Sequence, residues 1–101
     1  TSIVPTQALL LMNDEFVDDQ SKRFAESLIG QHGLELETLI QQACYKSLGR
    51  FPSAERLRQA RTFVDQQILA HRESKSKTPV NDALADLCHV LFNTNEFVFI
   101  D

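Results

Sequence analysis

The residues that come nearest to a known cofactor motif are Cys88 and His89. Covalent haem attachment uses the pattern C-x-x-C-H, with two cysteines bound to the haem and a histidine bound to iron. Here the pattern is Ala85-Asp86-Leu87-Cys88-His89, so the first cysteine is missing. At helical spacing His89 lies beside the apolar stripe and three residues after Asp86. The sequence therefore predicts a surface Asp86–His89 pair and no haem.

Four carboxylates fall close together near the start of the chain, and hard cations such as Ca²⁺ and Mg²⁺ bind carboxylate oxygens. They are Asp14, Glu15, Asp18 and Asp19. A calcium site normally wraps a loop around the ion, whereas a helix presents its carboxylates outward. Asp18 and Asp19 also precede Lys22 and Arg23 by four residues, which favours ion pairs on one helix face. We therefore expect a solvated acidic face and no metal site.

Zinc binding and nucleophilic catalysis require clusters that the sequence does not show. His32, His71 and His89 are far apart and lack metal-ligand spacing. Cys44 and Cys88 lie within predicted helices, which favours two buried free thiols, although facing helices could also bring them into a disulfide. No strained turn of the G-x-S-x-G type is present. We predict no catalytic residue, cofactor or metal for this stretch alone, and the enzymatic status of the larger protein stays open.

Arg50 stands at the corner between two predicted helices, directly after Gly49. A guanidinium at this position can interact with the last carbonyl groups of the preceding helix, or it can reach a carboxylate. The first role is structural and is the one that we favour, whereas the second would be a basis for binding a ligand or partner. Arg50, Asp86 and His89 are therefore the candidate interaction residues of the chain.

Composition narrows the function classes. The chain has 101 residues, 43% of them apolar and 24% charged, which is typical of one soluble globular domain. Its net charge is −4, whereas nucleic-acid binding normally requires a dense positive face. The longest apolar run, Ala8–Met12, is far shorter than the ~20 residues of a membrane span. Residues 1–101 are predicted to form a single helical domain with no nucleic-acid partner and no membrane span.

Helical periodicity and capping signals predict an all-α fold, a compact bundle of four main helices with a short preceding helix. Thr6 can cap a short helix over Gln7–Met12. After a kink near Asn13, a longer helix runs to about Ile29, and Gly30-Gln31-His32-Gly33 then supplies left-handed geometry that ends it. The apolar stripe of the longer helix comprises Phe16, Val17, Phe24, Ala25, Leu28 and Ile29.

The other three main helices have clear boundary signals. One spans about Glu35–Leu48 and ends at Gly49, and the next begins after the N-cap Ser53. The polar stretch Arg72–Lys77 is predicted to be a mobile loop, after which Thr78-Pro79 restarts the chain as N-cap and first helical residue. In the last helix the predicted inward residues are Val80, Leu84, Leu87, Cys88 and Leu91, and the outward ones are Asp82, Asp86, His89 and Asn93.

The stretch Ala83–Asp101 changes from helical to alternating periodicity after Asn93-Thr94-Asn95. Phe97–Ile100 is entirely apolar, so both faces of an extended segment would be apolar. We expect Glu96–Asp101 to pack back on the domain in extended form alongside Thr1–Val4, because neither face tolerates full exposure. Self-association through this C-terminal tail is the alternative, because an uncovered strand edge invites pairing.

Three segments, in chain order, carry a family resemblance: PTQALLLMNDEFV, YKSLGRFPSAERL and ALADLCHVLFNTNEFVFID. They resemble the C-terminal part of a planctomycete-type domain of unknown function, found at the end of large bacterial proteins that often carry a cytochrome-c-like domain. The Gly-Arg-x-Pro piece also looks like helical modules of the phycobilisome-linker type. The chain departs from the family pattern at Glu15, where a small residue or Pro is expected, and at Phe99, where Tyr is common.

The resemblance implies an all-helical terminal module of an exported or envelope-associated protein, of which this chain is a fragment. It assigns no catalytic residue. The implied function is a non-catalytic structural or interaction module whose partners are the N-terminal domains of the same protein. The alternative is that the module contributes one wall of an interdomain active or ligand-binding site, with Arg50 or the acidic face on one side.

Overall fold

The computed structural model describes residues 14–94, and that range contains four helices. They are α1 (Asp14–His32), α2 (Leu36–Leu48), α3 (Ala54–Glu73) and α4 (Pro79–Phe92). The predicted all-α bundle of four main helices is confirmed. The predicted short helix over Gln7–Met12, the kink near Asn13 and the packing of Glu96–Asp101 alongside Thr1–Val4 lie outside the described residues. No helix in the described range is long and apolar enough to cross a membrane.

Helix α4 is the element around which the other three are packed. It contacts α1 and α3 extensively and α2 less so. Six of its residues keep at most 7% of their surface exposed: Ala83, Leu84, Ala85, Leu87, Cys88 and Leu91. Four of the five predicted inward residues are thereby confirmed, and Val80 is half-buried. Because neighbours lie on several sides of α4, its apolar surface extends well beyond one narrow stripe.

The surrounding helices each direct an apolar face toward α4. The buried residues that they contribute to the common core are Ala25 and Leu28 on α1, Leu39, Ile40, Ala43 and Cys44 on α2, and Val64 and Ile68 on α3. The rings of Phe24 and Phe92 stack with centroids 5.7 Å apart, which joins α1 to the end of α4. Phe16 was predicted to be in the buried stripe but is 46% exposed. Ser21 is fully buried, and its hydroxyl donates to the Val17 carbonyl at 2.8 Å, so the buried oxygen has a partner without water.

Helix α2 ends and helix α3 begins at the predicted signals. The Glu35 carboxylate accepts a hydrogen bond from the Thr38 amide at 2.8 Å, which caps the start of α2. Gly49 ends α2 with a φ of 82°, and its amide donates to the Tyr45 carbonyl. The Ser53 hydroxyl accepts from the Arg56 amide at 3.1 Å and caps α3.

Two boundaries differ from the prediction. Helix α1 continues through Gly30 to His32, and Gly33, with a φ of 78°, ends it instead. Helix α3 extends to Glu73, so the loop predicted over Arg72–Lys77 is shorter than expected. A backbone hydrogen bond of 2.9 Å from the Ser76 amide to the carbonyl of His71 closes the remaining turn. Glycine permits left-handed geometry without requiring it, so the first glycine of a series need not end a helix.

The central position of α4 makes Leu84 a suitable aliphatic residue with which to test the core. Leu84→Ala removes a side chain with no exposed surface, and we expect it to lower the free energy of unfolding by about 2–5 kcal/mol, because a cavity forms between helices. The control is Leu69→Ala on α3, where the side chain is 60% exposed and the expected change is within about 0.5 kcal/mol. Urea denaturation followed by circular dichroism measures both. Equal losses in the two variants would contradict the central role of α4.

Candidate functional site

The first candidate site is a polar cluster where α3 approaches the N-terminal half of α4. Gln67 and His71 are four residues apart on α3, and Asp82 and Asp86 are four apart on α4, so each pair lies on one helix face. The Asp86 carboxylate accepts a hydrogen bond from Gln67 Nε2 at 2.8 Å and lies 2.7 Å from His71 Nε2. His71 Nδ1 lies 3.9 Å from an oxygen of Asp82. One histidine thus faces two carboxylates of the neighbouring helix.

Asp82 joins this cluster to the turn between α3 and α4. It lies in the first turn of α4, where the helix dipole favours a negative charge. The hydroxyl of Ser76 donates to one of its oxygens, and the hydroxyl of Thr78 donates to the other at 3.2 Å. The two carboxylates therefore act as acceptors that fasten the turn and α3 to α4.

The predicted Asp86–His89 pair is replaced by this arrangement. Asp86 bonds to residues of α3, and its side chain keeps 34% of its surface exposed although it was predicted to point outward. His89 is half-buried, and its backbone carbonyl accepts a hydrogen bond from the Asn93 side chain at 3.1 Å. The reason is that α3 covers this side of α4 and brings Gln67 and His71 to Asp86. The prediction of an Asp86–His89 pair used only the spacing within one helix, and such spacing cannot reveal partners on another helix.

The acidic face of α1 has the predicted ion pairs. Asp18 and Lys22 lie 3.0 Å apart, and Asp19 and Arg23 lie 2.8 Å apart, with all four side chains at least half exposed. Hydrogen bonds to the aspartates raise the pKa values of Lys22 and Arg23. Exposed pairs of this kind contribute little to stability. Within residues 14–94, no three His, Cys, Asp or Glu side chains are grouped so that they could hold a metal ion.

The second candidate site is an open groove of about 460 Å³ that we call the α2–α4 groove. It lies between the end of α2, the 49–53 turn, the first half of α3 and the last half of α4. Its apolar wall includes Cys44, Leu48, Phe63, Leu87, Val90 and Leu91. The volume falls within the range of roughly 300–1,000 Å³ that is typical of ligand sites. The groove is therefore large enough for a few bulky side chains or a small molecule.

Two arginines give the α2–α4 groove a positive charge. Arg50 and Arg56 both line it and are exposed, and no Asp or Glu is among the described lining residues. This local charge is opposite to the net charge of −4 of the whole chain. The left-handed Gly49 and the stacking of Phe51 on Tyr45, with ring centroids 4.5 Å apart, hold the turn that carries Arg50. The sequence singled out Arg50 but missed Arg56, whose only local signal is its place three residues after the Ser53 cap.

The two cysteines are buried free thiols in the structure. Cys88 has no exposed surface, and burial raises the pKa of its thiol to about 12, with the neighbouring Cys44 adding to the increase. At pH 8 the thiolate fraction of Cys88 is therefore on the order of 10⁻⁴. Since the thiolate is the reactive form, Cys88 is a core residue without nucleophilic character.

The model of a family described as a protein of unknown function (DUF1553) matches residues 1–64, which is more than half of the chain. The chain belongs to this family. The DUF1553 match includes two of the three segments in which the resemblance lies, residues 5–17 and 45–57, whereas residues 83–101 lie outside it. No curated protein and no solved structure matches the chain. The α2–α4 groove thus combines residues inside the DUF1553 match with residues of α4 beyond it.

A structural role for Asp86 predicts a measurable loss of stability when it is removed. Asp86→Ala leaves Gln67 and His71 without their acceptor, and we expect a cost of about 1–3 kcal/mol in the free energy of unfolding. The matched control is Asp65→Ala, which removes an exposed pair with Arg61 and should cost less than about 1 kcal/mol. Thermal and urea unfolding measure both variants. Similar costs would show that the cluster does not hold α3 against α4.

The raised pKa of Cys88 predicts that stability falls at alkaline pH. The unfolded chain loses this thiol proton near its ordinary pKa of 9.0, whereas the folded chain keeps it up to about 12. Above pH 9.0 the unfolded state therefore binds fewer protons, and this residue should lower stability by about 1.4 kcal/mol per pH unit. Cys88→Ala lacks this contribution, so the stability advantage of the wild type over the variant should shrink as pH rises from 9 to 10.5. Urea denaturation midpoints of both proteins at each pH measure this difference in stability. A difference that does not change with pH would contradict the raised pKa of Cys88.

Proposed function

We propose that the chain is a non-catalytic structural or interaction module at the C-terminal end of a larger exported bacterial protein, and that it acts by holding a polypeptide segment in the α2–α4 groove. The observation that carries the proposal is the combination of an apolar wall with Arg50 and Arg56 in an open cleft. An acidic, aromatic segment of the same protein fits this chemistry, because arginine pairs with carboxylates and aromatic side chains fill apolar clefts.

The use of the remaining reactive groups supports a non-catalytic role. The two carboxylates of the polar cluster are occupied by hydrogen bonds from Gln67, Ser76 and Thr78, with His71 also against Asp86. The thiol of Cys88 is buried and keeps its proton at neutral pH. These groups stabilise the packing of α3 on α4, whereas a general base or nucleophile must reach a substrate.

A second candidate function is favoured by the two arginines themselves. Guanidinium groups bind carboxylates and phosphates through paired hydrogen bonds, and Arg56 lies in the first turn of α3, where the helix dipole adds to the positive potential. In this alternative the groove contributes one wall of an interdomain active or ligand-binding site in the larger protein, and its ligand is a small anion.

The test measures whether the groove is covered in the full-length protein. A cysteine is introduced at Val90, which lines the groove and is 48% exposed, or at Leu69, which is 60% exposed and outside the groove. With a polypeptide in the groove, we expect maleimide to label Val90→Cys about tenfold more slowly than Leu69→Cys. Arg50→Glu with Arg56→Glu should remove this protection. The control is Arg58→Glu with Arg72→Glu, which makes the same change of charge at two exposed positions of α3 outside the groove and should leave the protection unchanged.

Two results would contradict the proposal. Equal labelling of the two cysteines in the full-length protein would show that no segment covers the groove. Inorganic phosphate that protects Val90→Cys, and that fails to do so when Arg50 and Arg56 are reversed, would favour the small-anion site instead. Circular dichroism of each variant establishes that the helices are retained. Glutamate at position 56 completes a capping box with Ser53, which suits the start of α3.

A further inference from the structure

We infer that the occupant of the α2–α4 groove is the last part of this same chain, residues 95–101, which we call the C-terminal segment. The inference rests on the proposed function, since it names the polypeptide that the groove holds. Three independent observations point to it: where the described range ends, how many residues follow it, and which chemistry the groove requires.

The described chain ends at the groove itself. Thr94 lines the groove together with Leu91. The Thr94 amide and hydroxyl both approach the Leu91 carbonyl, at 3.2 Å and 2.9 Å, so the chain direction at the end of α4 is set by two hydrogen bonds. Because residue 95 is bonded directly to Thr94, the C-terminal segment is attached next to the surface that it is proposed to cover.

The length of the C-terminal segment suits a local contact. Seven residues span at most about 25 Å when fully extended, at about 3.3–3.6 Å per residue. Phe97 is joined to Thr94 by only two intervening residues, Asn95 and Glu96. A tether this short gives an effective concentration in the millimolar range, so binding within the chain is favoured over binding of a separate segment.

The composition of the C-terminal segment matches the groove. It carries two acids, Glu96 and Asp101, on either side of four apolar residues, Phe97–Ile100. The groove offers two arginines and an apolar wall, with no acid among its described lining residues. Charges of opposite sign and apolar surfaces are thus present on both partners.

The experiment repeats the Val90→Cys labelling in the 101-residue chain and exchanges the charges. We expect Val90→Cys to be protected, and Glu96→Arg with Asp101→Arg to raise its labelling rate about tenfold, as Arg50→Glu with Arg56→Glu should. Combining both pairs should restore protection to within about twofold of the starting chain, because the charges are complementary again. Labelling of Leu69→Cys is the control and should stay unchanged in all of these variants.

Four outcomes would overturn the inference. Labelling that does not respond to Glu96→Arg with Asp101→Arg would show that the C-terminal segment does not reach the groove. Protection that is lost on dilution from about 100 μM to about 1 μM would show that a second copy supplies the segment. Protection in the full-length protein but not in the 101-residue chain would leave the proposed function standing and assign the groove to another part of the protein. Absence of protection in both would overturn the proposed function as well.

Discussion

Helix α4 is stable only where other helices cover most of its circumference, and this requirement organises the domain. Three consecutive residues, Ala83, Leu84 and Ala85, are all at least 95% buried. Consecutive residues on an α-helix are separated by about 100°, so these three alone cover about 200° of the helix. A single neighbouring helix cannot bury that range. Helices α1 and α3 pack on two sides of α4, and α2 contributes a third contact, so that one helix supplies the centre of the core.

The two ends of α4 have different surroundings: polar groups surround the N-terminal end, and an open apolar groove borders the C-terminal end. At its N-terminal end, Asp82 and Asp86 connect α4 to the preceding turn and to α3 through hydrogen bonds, so the polar groups are used within the domain. At its C-terminal end, Leu87, Val90 and Leu91 form one wall of an open groove with arginines at its edge. Hydrogen bonds at the N-terminal end hold α3 and the preceding turn against α4. At the C-terminal end the groove stays open. The proposed function concerns the open end, since the polar groups at the other end are already hydrogen-bonded within the domain.

The extent of the family match adds a constraint on that surface. Residues 1–64 carry the match, and they contribute Cys44, Arg50, Arg56 and Phe63 to the groove. The remaining wall comes from α4, beyond the matched residues. The groove therefore exists only where both parts of the chain are folded together, and the proposed binding role depends on both of them.

The amino-acid sequence by itself determined the features that depend on neighbours within one or two helical turns. The Ser53 cap, the Gly49 terminus, the Pro79 start and the Asp18–Lys22 pair were predictable because each involves groups at most four residues apart. The buried stripe of α4 was also predictable, since apolar periodicity reports which side of a helix needs cover. These local rules were enough to establish the number and class of the main helices.

Only the tertiary structure decided which helix faces meet, because that depends on contacts between residues far apart in the chain. Asp86 bonds to His71 and Gln67, fifteen and nineteen residues away, in place of His89, three residues away. Arg50 and Arg56 become one positive surface because the turn and α3 both border the end of α4. The end of α1 was also not decided by the sequence: both Gly30 and Gly33 can adopt left-handed geometry, and the structure has it at Gly33.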